Sequence, residues 1–489
     1  MAMTDGGAPE PADNVPGGST CPPWLLLLDD PDPHRVMVIG PPDDPAAAWF
    51  ADRGAEVEVW SQPTSVVAPV DLLVISDAAP APSRGARGLT ALLTACLAAC
   101  RPTGAVVVPW VLRESGRTEL ARNGFGTIRP IPPVLVGRNR RRGRGGIVAV
   151  TDAQLWTAAE NGAEGVPHWL GQLAHGRDWA PGRDGWSLRV PEDYPSQKAV
   201  ALVTPYAGTP PAAVIKLTRH PRFNARLENE AARLLSLAVQ APDVVERVPS
   251  VLETGRVAGM AFVAEQAVAG KPFLEVSRLD ERCPLAADAV AAIGDLAGRP
   301  GRMVSGAALA ARLEEIQEQF EHRHQPLARV SQFLRRQIRT IGEAELPSVV
   351  FHGDLGTWNL LAEEGSVRIL DWESAEDPGP PVWDLAYFSR SFAVRSGRRR
   401  GLDRDRAIGR HLIGTSPLNA AIAGWFATYV ERTELAPELV EPLFHTTWLH
   451  RASKEAARLR PDQPGHYGPL CTRLVLESDS PGVRRLVAR

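Results

Sequence analysis

The sequence predicts an α/β domain with a doubly wound sheet, followed by an α+β region with a small β-rich lobe and a large helical lobe. Two patterns lead to this fold class. Over residues 34–150, short apolar runs alternate with stretches of helical spacing. From residue 186 strand-like runs come first, and the chain is mainly helical after Pro284. A length of 489 residues leaves room for about three domains, which agrees with this division.

Four apolar or β-branched runs define the predicted sheet of the first domain. They are RVMVIG (35–40), EVEVW (56–60), DLLVIS (71–76) and AVVVPW (105–110). Continuous runs of this kind are typical of parallel strands that are buried on both faces. Between them, AAAWFADRG and GLTALLTACLAACRPTG predict helices that end near a glycine.

The segments on either side of this domain carry weaker patterns. Residues 1–33 are rich in Gly, Pro, Ala and Asp, and we expect a disordered tail. The five arginines of residues 138–146 indicate either a solvated loop or a patch for anions or a membrane surface. Residues 151–185 are expected to form a connector, with a helix over AQLWTAAE (153–160).

Residues 186–270 are predicted to form the β-rich lobe, from five strand-like runs and one helix. The strands are GWSLRV, KAVALVTP, PAAVIKLTR, VPSVLETG and GMAFVAEQAV. The helix is RLENEAARLLSLAV, in which positions 227, 231, 234 and 235 are expected to face inward. Residues 271–489 then form the helical lobe, with a compact insert of short apolar runs over 348–374.

Composition excludes several classes of protein. The formal net charge is −3 at pH 7, so a nucleic-acid partner is not expected. Five cysteines do not make a disulfide framework in a chain of this length, and we expect Cys96 and Cys100 on one helix face. There is no apolar run of 18 residues and no recognisable signal segment. We therefore expect a cytoplasmic protein without a membrane span.

The densest polar cluster is HGDLGTWN (352–359), followed by ILDWES with Asp371 at the end of an apolar strand. Phosphoryl transfer needs a carboxylate that accepts a proton from the attacking hydroxyl, and oxygen ligands that hold Mg²⁺ on the donor phosphates. Asp354 fits the first role, and Asn359 and Asp371 fit the second. The alternative is that Asp354 and Asn359 only cap loop backbone. The spacing H-x-D-x-x-x-x-N before a strand-end Asp favours the chemical role.

The donor phosphates need a cation and an acid that holds this cation in place. Lys216 lies inside the strand-like run AAVIKL and is one of only four lysines in the chain. Glu230 follows in the predicted helix, and we expect it to be the partner of Lys216. Glu228 is the rival, although it projects about 200° away from Glu230 on the helix. A snorkelling lysine at a strand edge is the alternative for Lys216.

The segments HGDLGTWN, ILDWES and PGPPVWDLAYF strongly resemble the aminoglycoside phosphotransferase and choline kinase family, which has a protein-kinase-like fold. The resemblance covers approximately residues 186–460. It implies that Asp354 is the catalytic base, that His352 organises its loop, and that Asp384 supports this loop without reacting. It also implies the following ligands: Asn359 and Asp371 for metal, Lys216 with Glu230 for phosphate, and Glu265 and Gln266 in a hinge for adenine.

The sequence departs from this family at three places. The loop VTPYAGTPPAA between the first strands has no glycine pattern that would cover phosphates. Trp358 stands where a smaller residue is more usual, which could narrow the acceptor side. Glu373 follows two residues after Asp371 and is equally compatible with a second metal or with solvent.

The N-terminal half resembles class I S-adenosylmethionine methyltransferases in the order of its runs, which implies a Rossmann-like sheet. Such domains need a glycine-rich turn after the first strand, but here Gly40 precedes Pro41 and Pro42. They also need an acid after the second strand, where Trp60 and Ser61 stand. We therefore expect a degenerate domain without S-adenosylmethionine, used as a scaffold or for docking a protein partner.

The expected activity is a Mg²⁺-dependent transfer of the γ-phosphoryl of ATP or GTP to a hydroxyl of a small metabolite. A sugar, aminocyclitol, nucleoside or antibiotic would fit. Residues 390–410 hold eight arginines, which favours an anionic or neutral acceptor if they border the site; a solvated or disordered loop is the alternative. Two further alternatives are a catalytically silent kinase-like scaffold and a bifunctional methyltransferase–kinase.

Overall fold

The computed structural model describes the following residues: 33–60, 70–75, 100–108, 125–131, 153–158, 168–181, 185–189, 198–206, 209–218, 221–257, 259–297, 302–457, 459 and 465–487. The chain divides into two compact units. The sheet unit comprises the described residues up to 228 together with 252–267, and the helical unit comprises 229–251 and 268–487. The predicted tail and the basic run at 138–146 lie outside the described residues, apart from Pro33.

The first sheet of the sheet unit has six strands. In chain order its elements are β1 Arg35–Ile39, α1 Pro45–Ala51, β2 Glu56–Trp60, β3 Val70–Ile75, β4 Cys100–Val108, β5 Phe125–Ile131 and β6 Ala153–Ala158. The strand order is β2-β1-β3-β4-β6-β5. Strands β2, β1, β3 and β4 run parallel to one another, and β6 is antiparallel to both β4 and β5. The four predicted strands are confirmed, whereas helices on both faces of the sheet stay a prediction.

Two sequence-based helix predictions in this region are wrong. The segment predicted as a helix at 153–160 contains strand β6, because it pairs with a neighbouring strand on each side. Trp156 and Thr157 favour strands, and so short an apolar segment has no decisive periodicity. The helix predicted through GLTALLTACLAACRPTG cannot include Cys100, which opens β4 opposite Val70. Cys96 and Cys100 therefore do not share a helix face.

The turn after β1 leaves few backbone donors for a ligand. The amide of Gly40 donates to the carbonyl of Trp60 at 2.9 Å, and Pro41 and Pro42 have no N–H. Helix α1 then begins behind Asp44, whose side chain accepts from Ala46 N at 2.9 Å. The expectation that this domain does not bind S-adenosylmethionine stays a prediction.

The second sheet of the sheet unit has five strands. It follows α2 His168–Ala174 and consists of β7 Trp186–Arg189, β8 Lys198–Val203, β9 Ala213–Thr218, then, after α3 Asn224–Gln240, β10 Val251–Val257 and β11 Met260–Gln266. The order is β10-β11-β9-β8-β7, with antiparallel pairs at β7–β8, β8–β9 and β9–β11. All five predicted strands and the helix are confirmed. One core joins this sheet to α1, and Trp49 and Phe50 are its largest buried rings.

The helical unit contains the rest of the described chain. Its elements are β12 Lys271–Pro272, α4 Phe273–Val276, α5 Pro284–Ala297, β13 Met303–Ser305, α6 Ala307–His324, α7 Ala328–Gly342, β14 Glu345–Pro347, β15 Val349–Phe351, β16 Leu360–Glu363, β17 Ser366–Ile369, β18 Glu376–Gly379, α8 Trp383–Arg399, α9 Arg404–Ile408, a π-helical turn Gly409–Ile413, α10 Pro417–Thr433, α11 Val440–Ala456, α12 Tyr467–Leu476 and α13 Pro481–Val487. Helix α8 is central, because nearly all its side chains are buried. In the part of the chain that is described, no helix is both long and apolar enough to cross a bilayer.

Two burial predictions in this unit need correction. Leu235 was expected to face inward with its neighbours on α3, but it is exposed, whereas Leu234 is buried. The arginine-rich stretch 390–410 was considered as a solvated or disordered loop, but most of it lies in α8, α9 and the π-helical turn. Arg390 itself is buried. Arg390 is buried because it lies among the apolar positions of the buried helix α8. The number of arginines in the stretch does not indicate this.

Candidate active site

The polar loop between β15 and β16 holds Asp354. Gly353 precedes it with φ of +81°, and a Cβ atom there would lie 2.2 Å from the carbonyl oxygen of Ser374. Only glycine tolerates both the left-handed backbone and the close approach. The loop is therefore tied to the segment that follows Asp371.

Asp384, in the first turn of α8, binds the backbone of this loop. Its two carboxylate oxygens accept from His352 N at 2.6 Å and from Gly353 N at 3.1 Å. Burial raises the pKa of Asp384, and the two backbone hydrogen bonds oppose that rise. Because both oxygens are used by the loop, Asp384 acts on its shape.

His352 connects the loop to the strand that precedes Asp371. Its Nε2 lies 2.9 Å from the carbonyl oxygen of Leu370, and its Nδ1 accepts from Asp354 N at 3.2 Å. These partners assign the imidazole proton to Nε2. The ring also packs edge-on against the buried Trp372. The histidine therefore orients backbone on both sides of the site.

Asp354 is the partly exposed carboxylate of the loop. Arg451 Nη1 of α11 donates to its Oδ1 at 2.9 Å, and the exposed fractions of the two side chains are 30% for Asp354 and 7% for Arg451. Asn359 Nδ2 donates to the backbone oxygen of Asp354 at 2.9 Å and lies 3.5 Å from its Oδ2. Lys454, one turn beyond Arg451, donates to the carbonyl oxygen of Gly353 at 3.0 Å. Helix α11 thus grips the loop at two points.

Asn359 and Asp371 lie at the same end of a hairpin. Strands β16 and β17 are antiparallel with Leu360 opposite Ile369, and Leu370 N donates to the carbonyl oxygen of Asn359 at 2.9 Å. Asp371 follows with φ of +71°, a conformation that turns the chain sharply after the strand. The register therefore places the two residues at the same end of the hairpin. Their joint role as metal ligands stays a prediction.

The donor set of these two residues fits magnesium. Because the amide nitrogen of Asn359 serves as a donor to Asp354, its Oδ1 is the atom that can bind a cation. Asp371 adds a half-buried carboxylate. Among the described residues, no group of three or more His, Cys, Asp or Glu side chains could hold a metal ion. Mg²⁺ binds proteins through one or two such groups plus phosphate oxygens and water, which matches this pair.

Glu230 on α3 lies against the segment that contains Asp371. Its Oε1 accepts from Trp372 N at 2.9 Å, and neighbouring Asn229 donates to the carbonyl oxygens of Glu373 and Ala375. Glu230 is fully buried. Glu228 instead pairs with Arg256 on the surface of the sheet unit, with its side chain 45% exposed. The geometry therefore distinguishes the two glutamates, and the pairing of Glu230 with Lys216 stays a prediction.

Lys216 in β9 makes an ion pair inside the five-stranded sheet. Its Nζ lies 2.8 Å from Oε1 of Glu265 in β11, and the side chains are 11% and 3% exposed. Lys216 is opposite Val263, so Glu265 is its diagonal neighbour on the same face. Gln266 ends β11 and is exposed. The side chain of Glu265 thus has a partner that the sequence prediction, which assigned this segment to adenine, did not consider.

Sequence reasoning missed Arg451 and Lys454. Nothing in the local pattern of α11 distinguishes them from other helical cations, and both lie about a hundred residues from the loop that they contact. The rarity of lysine was one signal that could have drawn attention to Lys454. The contacts exist because α11 packs against α8 and the loop, which a single sequence does not show.

Part of the chain matches a known protein family. The family model for the phosphotransferase enzyme family matches residues 197–425, just under half of the chain. Among curated proteins, none matches the chain. The family match spans β8 to the middle of α10 and therefore contains every predicted site residue.

Similar solved structures come from bacteria and a protozoan parasite. A macrolide 2′-phosphotransferase from Brachybacterium faecium is 18% identical, with 61% of this chain and 98% of that chain covered and a TM-score of 0.42. An aminoglycoside phosphotransferase from Streptomyces rimosus is 20% identical, with 54% of this chain and 92% of that chain covered and a TM-score of 0.33. Choline kinase from Cryptosporidium parvum is 13% identical, with 58% of this chain and 85% of that chain covered and a TM-score of 0.37.

Residues 197–425 are therefore similar to the phosphotransferase enzyme family. The described elements of this part of the chain are a five-stranded sheet with one long helix, α3, followed by a mainly helical region.

Proposed function

We propose that the protein transfers the γ-phosphoryl group of Mg²⁺-bound ATP or GTP to a hydroxyl group of a small metabolite. A sugar, aminocyclitol, nucleoside or antibiotic would supply such a hydroxyl. One observation carries this proposal: the loop of Asp354 is shaped by Asp384 and His352, yet the Asp354 carboxylate itself stays partly exposed. A carboxylate fixed by its own backbone but open to solvent can receive a substrate proton.

Asp354 is the proposed catalytic base. As the acceptor oxygen bonds to the γ-phosphorus, the hydroxyl proton passes to a carboxylate oxygen of Asp354, and the bond to the bridging oxygen breaks to release the nucleoside diphosphate. Arg451 occupies one carboxylate oxygen, Oδ1, with a charge-assisted hydrogen bond. Oδ2, whose contact with Asn359 Nδ2 is longer at 3.5 Å, is then the oxygen that takes the proton. In this scheme His352 and Asp384 hold the loop and do not react.

Asn359 and Asp371 are the proposed metal ligands. Mg²⁺ bound there would neutralise charge on the donor phosphates. Glu230 contributes indirectly, because its hydrogen bond to Trp372 N holds the backbone next to Asp371. Lys216 supplies the cation for the phosphates, and its pair with Glu265 keeps the ammonium group in place in the sheet.

The test is a screen of hydroxylated metabolites with Mg²⁺-ATP and Mg²⁺-GTP, in which release of the nucleoside diphosphate is measured. We expect Asp354→Asn to lower turnover by about 10²–10⁴-fold, the usual contribution of a general base. The dissociation constant for Mg²⁺-ATP, measured by calorimetry, should change by less than about twofold, because Asp354 is not a nucleotide ligand in this proposal.

Asp479→Asn is the matched control, since this aspartate is exposed near the end of the chain. Equal turnover of Asp354→Asn and wild type would contradict the proposed base. Tight Mg²⁺-ATP binding without turnover of any acceptor would instead favour a catalytically silent scaffold.

A further inference from the structure

Two arginines and two tyrosines form a connected group in the helical unit, and one of them, Arg451, contacts the carboxylate of Asp354. The guanidinium carbon of Arg451 is 3.2 Å from the ring centre of Tyr387. Tyr387 and Tyr467 share a hydroxyl–hydroxyl hydrogen bond of 3.3 Å. The guanidinium carbon of Arg390 is 5.1 Å from the ring centre of Tyr467. We name Tyr387, Arg390, Arg451 and Tyr467 the arginine–tyrosine cluster.

Among the described residues, only one of the two arginines of the cluster has an acidic ion-pair partner. Arg451 has Asp354 as its acidic partner. Arg390 contacts Nε2 of His466, and burial together with the charges of Arg390 and Arg404 lowers the pKa of His466 to about 3. His466 is therefore a neutral acceptor. Of the carboxylates that the structure describes, none forms an ion pair with Arg390.

Both guanidinium groups retain buried donors that are not used. Arg390 and Arg451 are more than nine-tenths buried. Nε of Arg390 and Nη2 of Arg451 have no hydrogen-bond partner among the described residues. A buried donor without an acceptor destabilises the folded state, and more so when the group is charged. Burial also lowers the pKa of Arg390, as expected for a cation that lacks an anion.

We propose that the arginine–tyrosine cluster binds a carboxylate or phosphate group of the acceptor, so that the enzyme phosphorylates an anionic hydroxylated metabolite. This inference rests on the proposed function, because Arg451 joins the cluster to the proposed base. Arginine forks match the geometry of carboxylate and phosphate oxygens. A polycationic acceptor would meet like charge in the same place.

The exposed ring of Trp358 is the natural contact for the body of such an acceptor. Trp358 lies edge-on to Tyr387, with ring centres 5.8 Å apart, and it is among the exposed large apolar side chains. An exposed indole beside buried cations can stack on the apolar face of a sugar ring while the anionic group reaches the arginines.

Replacement of Arg390 distinguishes an anion-binding role of the cluster from a purely structural role. If the cluster only held Asp354 in position, Arg451 would matter and Arg390 would have no effect on the choice of acceptor. Arg390 does not contact Asp354, so its replacement tests anion binding without disturbing the proposed base.

The experiment uses four pyranoses that differ in charge: D-glucuronate, D-glucose 6-phosphate, D-glucose and D-glucosamine. Binding to the full chain is measured by calorimetry without nucleotide, and kcat/KM is measured with Mg²⁺-ATP. We expect at least one anionic form to bind at least about tenfold more tightly than glucose, with glucosamine weaker still. The glucuronate and glucose 6-phosphate arms tell carboxylate from phosphate recognition.

Arg390→Met should reduce the affinity for the preferred anion at least about tenfold, while the affinity for glucose stays unchanged. Arg398→Met is the matched control, an exposed arginine on the same helix, and it should change neither value. Arg390→Lys keeps the charge, and its affinity for the preferred anion should lie between those of wild type and Arg390→Met. This variant keeps the test valid if the methionine variant misfolds.

Equal affinity for all four sugars, or equal losses in Arg390→Met and Arg398→Met, would overturn the proposal. Anion binding that depends on Arg390, without release of ADP, would reject the phosphotransferase function and leave the anion site standing. The two failures are therefore distinguishable.

Discussion

Two buried ion pairs, one in each unit, can be compared directly. In the sheet unit Lys216 is the proposed functional group, and Glu265 is its support. In the helical unit the charges are reversed, since Asp354 is functional and Arg451 supports it. In both pairs the support is the more buried partner: 3% against 11% exposed in the sheet, and 7% against 30% in the loop.

This difference shows how each unit keeps a reactive charge in place. In each pair the more exposed partner is the one that a ligand would reach first, which agrees with the proposed roles. The pairs also differ in how far their members are separated along the chain. Lys216 and Glu265 are diagonal neighbours in one sheet, but Arg451 and Asp354 meet only through the packing of α11.

Of the changes considered below, the largest effect on activity is expected from breaking the pair in the sheet. Lys216→Met should lower kcat/KM by about 10²–10³-fold, the usual cost of removing a preorganised charge on the transition state. Glu265→Gln should lower it by about 10–100-fold, because a hydrogen bond to a charged group is worth about 1.5–3 kcal/mol. Steady-state kinetics with the best acceptor measure both values.

Glu253→Gln is the control for these variants, since Glu253 pairs with Arg177 at the surface of the same unit. If Glu265→Gln matched wild type while Lys216→Met lost activity, Glu265 would not be the support of Lys216. The comparison between the two pairs would then fail.

A smaller effect is expected from the support of the Asp354 loop. Asp384→Asn keeps the shape of the side chain but turns an amide donor toward one of the two backbone N–H groups. One buried donor is then unsatisfied, and the free energy of unfolding should fall by about 1–3 kcal/mol. Urea denaturation at pH 7 measures this change.

Asp295→Asn is the matched substitution at an exposed pair with Arg432 on the helical unit, and it should cost less than about 1 kcal/mol. If Asp384→Asn were no more destabilising than Asp295→Asn, the loop would not depend on Asp384. Loss of activity at full stability would assign Asp384 a chemical role instead.

An effect of similar size concerns the pH dependence of stability and the packing of α11, which carries Arg451. Burial lowers the pKa of His445 to about 3. An unfolded chain binds this proton below its ordinary pKa of about 6.5, so stability is lost as pH falls from 6.5 toward 3. From pH 7 to pH 5 this loss is about 2 kcal/mol.

His445→Phe should remove that part of the pH dependence, because phenylalanine does not titrate and the site packs against Phe333 and Phe444. Urea denaturation at pH 7 and pH 5 gives the difference. His322→Gln, at an exposed histidine, is the control and should leave the slope unchanged. An unchanged slope in His445→Phe would contradict the buried neutral histidine.

Local patterns predicted much of the described fold. All strands of the five-stranded sheet, helix α3 and the hairpin that joins Asn359 to Asp371 follow from apolar runs and turn residues. The strand at residues 153–158 was not predicted, because a six-residue strand between two partner strands has no decisive periodicity of its own. The exposure of Leu235 was not predicted either, since its neighbour Leu234 alone fills the inward position.

The sequence by itself determined the loop chemistry of this protein. His352, Asp354 and Asn359 are fixed in spacing by covalent geometry, and strand pairing brings Asp371 beside them. Only the tertiary structure decided which distant charges serve them. Arg451, Lys454 and Arg390 look like ordinary helical cations in the sequence, and they acquire their contacts from the faces on which α8 and α11 pack. Packing between helices depends on shape complementarity over the whole core, and no local spacing encodes it.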